Sequence, residues 1–283
     1  MEVIVGKYAG FCPGVNYTVT KAQEILQNGK VYCLGDIIHN KEVIKDLENK
    51  GMSTVSNISE VPNGSKVIFR AHGEARSVYQ IANENNLEVC DLTCPKVKAI
   101  HQKVEKQNGK SFVIIIGKSK HPEVIGTKGF CDENSYIVEN ADDVQKAFEQ
   151  YQNSGMSKVY VVAQTTFSSK VFDELVENIK NMFTGSTIAI DKTICNTTEV
   201  RQNEVSELSK KMHKMIVIGG LNSSNTRELA KIAGENCESV RLIQTVDDIK
   251  NATFDIHDKV GIVAGASTPN YIIKDVKNYL ESL

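Results

Sequence analysis

The sequence predicts an α/β protein made of three small α/β units, each with a mainly parallel four-stranded sheet, set around a pseudo-threefold axis with a central active site. Three observations lead there. Short Val/Ile-rich runs ending in Gly, Ser, Thr or His alternate with segments of helical period, the pattern of parallel sheets covered by helices. The runs recur in sets of four, which marks an internal repeat. The loops after corresponding strands also agree with one another, and one loop of each set carries a cysteine.

The chain opens on an apolar run at 2–5, followed by Gly10-Phe11-Cys12-Pro13-Gly14-Val15 at a helix start, where proline suits the first helical position. The first unit has runs at 31–34, weakly at 54–55, at 67–70 and at 88–90, and leads into Asp91-Leu92-Thr93-Cys94-Pro95. The second has runs at 112–116, 136–138, 159–163 and 187–190, and leads into Asp191-Lys192-Thr193-Ile194-Cys195. The third offers only 215–218, 240–243 and 260–264, so the run at 2–5 becomes its fourth strand. The expected domains are 14–95, 96–192, and 193–283 completed by 1–13.

The loops after each unit's first strand are Gly35-Asp36-Ile37-Ile38-His39, Gly117-Lys118-Ser119-Lys120-His121 and Gly219-Gly220-Leu221-Asn222-Ser223, with a polar residue four positions past a glycine each time. After the third strands come Ala71-His72-Gly73, Ala163-Gln164-Thr165-Thr166 and Ala264-Gly265-Ala266-Ser267-Thr268; after the fourth come Cys94, Cys195 and Cys12. Ligands of open parallel sheets bind beyond the carboxyl ends of the strands, and all nine loops are such ends.

Bulk composition narrows the function. With 283 residues, 41% of them apolar, the chain has ample core for more than one small unit. A net charge of −2 without basic runs gives no support to nucleic-acid or membrane binding. The start, Met1-Glu2-Val3-Ile4-Val5, has no basic segment ahead of an apolar one, and the run 112–116 is far too short to span a bilayer, so a cytoplasmic location is expected. Seven cysteines, an odd number, argue for ligands, a nucleophile or buried thiols rather than a disulfide frame.

Cys12, Cys94 and Cys195 sit where helix amides and the positive end of a helix dipole favour a thiolate. Three such thiolates could hold zinc, an iron-sulfur cluster or nothing. Structural zinc prefers four ligands with a close pair such as Cys-x-x-Cys, and the chain has none. A four-iron cluster tolerates scattered ligands, and three cysteines leave its fourth iron open. Cys33, Cys90, Cys131 and Cys237 lack the repeated setting and read as core or surface thiols.

His39, His72, His121, Thr165, Ser223, Ser224, Asn225, Ser267 and Asn270 lie at the other strand ends and make an anion pocket suited to phosphate oxygens. Ser223-Ser224-Asn225 equally suits a helix N-cap. Glu123, two residues past His121, fits a helix-start acid and, with Thr165 in the same unit, also fits a proton relay. Neither Gly-x-Gly-x-x-Gly nor Gly-x-x-x-x-Gly-Lys occurs, so electrons, if used, must come from a partner protein.

Phe11-Cys12-Pro13-Gly14-Val15, His39-Asn40, Arg70-Ala71-His72-Gly73, Asp91-Leu92-Thr93-Cys94-Pro95, residues 117–124, Gln164-Thr165-Thr166, Cys195-Asn196-Thr197-Thr198 and Ser223-Ser224-Asn225-Thr226, in that order, closely resemble the 4-hydroxy-3-methylbut-2-enyl diphosphate reductase family. The resemblance spans the whole chain. It implies one oxygen-sensitive 4Fe-4S cluster held by Cys12, Cys94 and Cys195 with one open iron. It implies a diphosphate pocket of His39, His72, Ser223, Ser224, Asn225 and Ser267, with His121 near both diphosphate and the reacting alcohol, and a proton path through Glu123 and Thr165. The implied reaction is two-electron reductive dehydroxylation of the allylic diphosphate to isopentenyl and dimethylallyl diphosphate, with ferredoxin or flavodoxin as electron donor.

Overall fold

The computed structural model describes residues 1–283. In chain order, β1 (Glu2–Val5) leads into α1 (Pro13–Leu26); then come β2 (Val31–Leu34), α2 (Lys41–Asn49), β3 (Met52–Val55), β4 (Lys66–Phe69), α3 (Arg76–Glu84), β5 (Glu88–Asp91) and α4 (Pro95–Glu105). The second set is β6 (Phe112–Ile116), α5 (Pro122–Lys128), β7 (Ser135–Val138), α6 (Ala141–Ser154), β8 (Lys158–Ala163), α7 (Ser169–Met182) and β9 (Thr187–Ile190). After α8 (Asn196–Ser209) come β10 (Lys214–Ile218), α9 (Ser224–Gly234), β11 (Ser239–Ile243), β12 (Lys259–Ala264) and α10 (Asn270–Glu281). Short 3₁₀ turns precede β4 and β12.

The strands form three four-stranded sheets, ordered β3-β2-β4-β5, β7-β6-β8-β9 and β11-β10-β12-β1. Every pairing is parallel. In each sheet the first strand of the set is flanked by the second and third, and the fourth lies outside the third. The repeat is thus one topology used three times. As expected, β1 takes the fourth place of the third sheet, with Glu2 opposite Lys259 and Val5 opposite Ile262.

The observed strands begin earlier than their apolar runs where a lysine leads. Lys66, Lys158, Lys214 and Lys259 each take the first ladder position and keep their charged ends toward water, which a count of apolar residues passes over. At the other end β4 stops at Phe69, because Arg70 turns to accept the Gly73 N–H on its carbonyl (3.1 Å) and to donate from Nε to the Glu74 carboxylate (3.0 Å).

The chain forms two compact units. One comprises residues 1–20, 38–49 and 196–283 and contains the sheet β11-β10-β12-β1; the other comprises 21–37 and 50–195 and contains the other two sheets. In the first, Ile216, Ile218, Ile262 and Ala264 meet Ile272, Ile273, Val276 and Leu280 of α10 in a buried cluster. In the second, β6 is buried over its full length, and Ile114 and Ile116 pack with Phe172, Leu175 and Ile179 of α7. Burying such side chains stabilises by about 1.5 to 3 kcal/mol each, and it fixes where the strands end. No helix is long and apolar enough to cross a membrane.

Candidate functional site

The cysteines singled out above occupy equivalent places. Each immediately precedes a helix: Cys12 before α1, Cys94 before α4 and Cys195 before α8. Each also donates its backbone N–H to the carbonyl two residues past the third strand of its sheet: Cys12 to Ala266 (3.1 Å), Cys94 to Ala71 (3.0 Å) and Cys195 to Thr165 (3.0 Å). All three are half-buried, and the seven cysteines form no disulfide. The Val15 N–H donates to the Cys12 Sγ at 3.4 Å, the contact by which a helix start favours a thiolate. Burial pushes Cys33 up to about 12 and Cys131 to about 11, and raises Cys90 as well, so these stay protonated.

In the first compact unit, the Cys12 loop is braced by the Arg201 guanidinium, whose Nη2 donates to the Gly10 carbonyl (2.7 Å). Ser223 caps α9, its hydroxyl accepting the Thr226 N–H at 3.2 Å, so the N-cap reading of this segment holds. Capping does not account for its neighbours. Ser224, Asn225 and Thr226 are buried, and neither polar atom of the Asn225 amide has a hydrogen-bond partner. A buried unsatisfied amide costs about 1 to 3 kcal/mol, which a ligand oxygen at a helix N-terminus would offset. Ser267, near the start of α10, donates to the His39 carbonyl at 3.3 Å, and Gly220 lets that carbonyl approach where any β-carbon would collide.

In the second unit, Pro122 opens α5 and Glu123 falls in its first turn, wholly buried. The Glu123 carboxylate accepts two hydrogen bonds from Thr165, from the N–H at 2.6 Å and from the hydroxyl at 2.7 Å. Burial pushes this carboxyl up to about 7, although both Thr165 hydrogen bonds pull the other way. Nδ1 of His121 accepts the Glu123 N–H at 3.2 Å, so the neutral imidazole carries its proton on Nε2. The His72 and His121 rings meet edge to face at 5.4 Å. The unit thus combines a carboxyl that titrates near neutrality, a hydroxyl against it and two imidazoles, a set able to bind anions and deliver protons.

His101 escaped the sequence reading. It lies on α4, two turns beyond Cys94, buried and stacked on Phe130 at 4.4 Å. Its helical spacing from Cys94 was available, but a single histidine on a helix carries no motif.

Taken singly, each half-buried thiol at a helix start has the donor chemistry of an iron-sulfur ligand.

The family described as LytB protein matches residues 3–281. A 4-hydroxy-3-methylbut-2-enyl diphosphate reductase of Caldanaerobacter subterraneus subsp. tengcongensis is 37% identical over 291 residues, covering 100% of this chain and 98% of that one. One from Clostridioides difficile is 37% identical over 286 residues and fully covered on both sides. Among solved structures, the E-1-hydroxy-2-methyl-but-2-enyl-4-diphosphate reductase of Plasmodium falciparum superposes with a TM-score of 0.89 at 29% identity, covering all of this chain and 87% of that one. A (E)-4-hydroxy-3-methyl-but-2-enyl diphosphate reductase, the terminal enzyme of the non-mevalonate pathway, gives a TM-score of 0.71 at 37% identity with both chains fully covered.

Proposed function

The chain belongs to the LytB protein family, the iron-sulfur oxidoreductases that reduce 4-hydroxy-3-methylbut-2-enyl diphosphate to isopentenyl and dimethylallyl diphosphate, and from that premise we propose how its own residues serve the reaction. Cys12, Cys94 and Cys195 hold one 4Fe-4S cluster, each following the fourth strand of one of the three sheets, and the repeats run 14–95, 96–192, and 193–283 completed by 1–13. The observation that carries this reading is the hydrogen bond each cysteine N–H makes to the carbonyl two residues past its sheet's third strand. Bound there, the cluster supplies electron transfer and one Lewis-acidic iron.

The remaining residues bind and protonate. His39, His72, Ser223, Ser224, Asn225 and Ser267 hold the diphosphate, and the orphaned Asn225 amide gives that assignment its physical support. His121 takes a place at both diphosphate and alcohol. Glu123 is the proton source: a carboxyl with a pKa of about 7 is half protonated at neutral pH, and its contact with the Thr165 hydroxyl at 2.7 Å lets that hydroxyl pass the proton outward. Electrons arrive from an external carrier such as ferredoxin or flavodoxin, and the enzyme works in the cytoplasm.

The test is anaerobic purification, iron and sulfide analysis, and assay with the allylic diphosphate and a chemical reductant. Reductant-dependent formation of both products is expected. Turnover without reductant would assign the chain to a non-redox dehydration instead.

A further inference from the structure

Two glycines on α5 stand out because the helix has no conformational use for them. Gly126 is mid-helix, and Gly129 caps the end at φ −67°, a value any residue adopts. In a seven-residue helix a glycine costs about 1 kcal/mol relative to alanine, so something other than helix formation explains them. What lies against them is the backbone of the segment after β4. A β-carbon on Gly126 would sit 3.1 Å from the Gly73 carbonyl oxygen and 3.5 Å from the Glu74 carbonyl carbon, and one on Gly129 would collide with Ala75.

The same segment is pressed from the α4 side. A β-carbon on Gly73, which has a left-handed φ of +75°, would lie 2.5 Å from Cε1 of His101 and 3.1 Å from Cγ2 of Thr93. The His101 ring is backed by Phe130, which meets Tyr79 of α3 edge-on at 6.3 Å. Its Nε2 has no hydrogen-bond partner, so the ring acts here through its shape. Burial holds it near a pKa of 4, hence neutral.

We propose that Gly126, Gly129 and His101 are positioning residues for His72: the glycine face of α5 and the His101 ring leave residues 73–75 a single place to lie, and so hold the adjoining His72 ring 5.4 Å from His121. One short helix then sets both imidazoles, His121 at its N-cap and His72 through the segment seated on its glycines. This rests on the reading that His72 binds diphosphate.

The experiment is calorimetric titration of inorganic diphosphate into cluster-loaded wild type, His72→Ala, Gly126→Ala and the double variant, with iron content and melting temperature recorded for each. His72→Ala should weaken binding roughly ten- to a hundredfold. Gly126→Ala should weaken it about three- to tenfold in the wild-type background and have no further effect once His72 is gone. His101→Ala should behave as Gly126→Ala does, and His101→Phe, which keeps a neutral ring against Gly73 and Phe130, should recover most of the affinity; this pair carries the same cycle if Gly126→Ala fails to fold. A wild-type affinity in Gly126→Ala and His101→Ala, or an undiminished effect in the His72→Ala background, overturns the inference alone. Unchanged affinity in His72→Ala itself would overturn the diphosphate reading, and this inference with it.

Discussion

Replacing Glu123 by glutamine isolates the proton that the reaction requires. The side chain is fully buried, and its two oxygens accept from the Thr165 N–H (2.6 Å) and hydroxyl (2.7 Å). Glutamine keeps the shape, keeps an acceptor for the N–H and offers an amide donor to the hydroxyl, so only the titratable proton is lost. Turnover should fall by roughly a hundred- to ten-thousandfold, the range of a positioned general acid, with iron content and diphosphate affinity unchanged. The assay is single-turnover product formation by cluster-loaded enzyme with excess reductant. Near-normal product formation would return Glu123 to the role of a helix-start acid.

The same substitution has a signature in pH. Burial raises the Glu123 carboxyl from 4.5 to about 7, so between these values the folded protein binds more protons than the unfolded chain. Stability from this group is fully present below about 4.5 and is lost as pH rises through 7, an amount of about 3 kcal/mol. The wild-type rate should likewise decline above pH 7 as the acid ionises. Glu123→Gln should remove the stability slope in melts run from pH 5 to 8. Equal slopes in the two proteins would mean that the carboxyl titrates elsewhere.

Three further outcomes follow from other parts of the molecule. Serine at Cys12, Cys94 or Cys195 should strip or cripple the cluster, whereas alanine at Cys33, Cys90, Cys131 or Cys237 should not; equal iron and sulfide in all seven variants would sink the ligand assignment. Alanine at His39 or Ser267 should weaken diphosphate binding by about 1.5 to 3 kcal/mol for a charge-assisted hydrogen bond, while Asn225→Ala should weaken binding yet leave the melting temperature of the ligand-free protein unchanged or higher, because the buried amide has no partner to lose. Glu74→Ala should lower the melting temperature, since it strands the largely buried Arg70 guanidinium that Glu74 meets at 3.0 Å; breaking a buried pair costs about 3 to 5 kcal/mol, and an unchanged melt would show the pair to be solvated.

Much of this was legible in the chain. Strands buried on both faces, such as Phe112–Ile116, read as unbroken apolar runs, and four such runs per set exposed the repeat and the place of β1. Lysine-led strand starts at Lys66 and Lys158 were invisible because ladder hydrogen bonds belong to the backbone and not to the side chain. In the site, the cysteines could be found because a strand–cysteine–helix junction occurs three times. The burial of Glu123 could not, since α5 is too short for its period to say which face is inward. Nor could the clamp on residues 73–75: Gly126 and Gly129 look like poor helix formers until the Gly73 carbonyl is seen against one of them and Ala75 against the other.

The repeat also separates two kinds of demand. Where the three sets agree in side chain, each has a cysteine, with the same backbone hydrogen bond behind it. A cluster that takes three like ligands asks for one donor type three times, and a repeated fold supplies this by repetition. The loops after the first and third strands have instead diverged, to His39, His121 and Ser223 in one position and to His72, Thr165 and Ser267 in another. A diphosphate carrying an alcohol at its far end has no such symmetry: its phosphate oxygens need neutral donors, and its leaving hydroxyl needs a proton. In the second set a buried carboxyl, Glu123 of α5, accepts from the hydroxyl of Thr165, two residues past the end of β8. On the proposed reading the symmetric part of the sequence serves the cofactor, and the departures from symmetry serve the substrate.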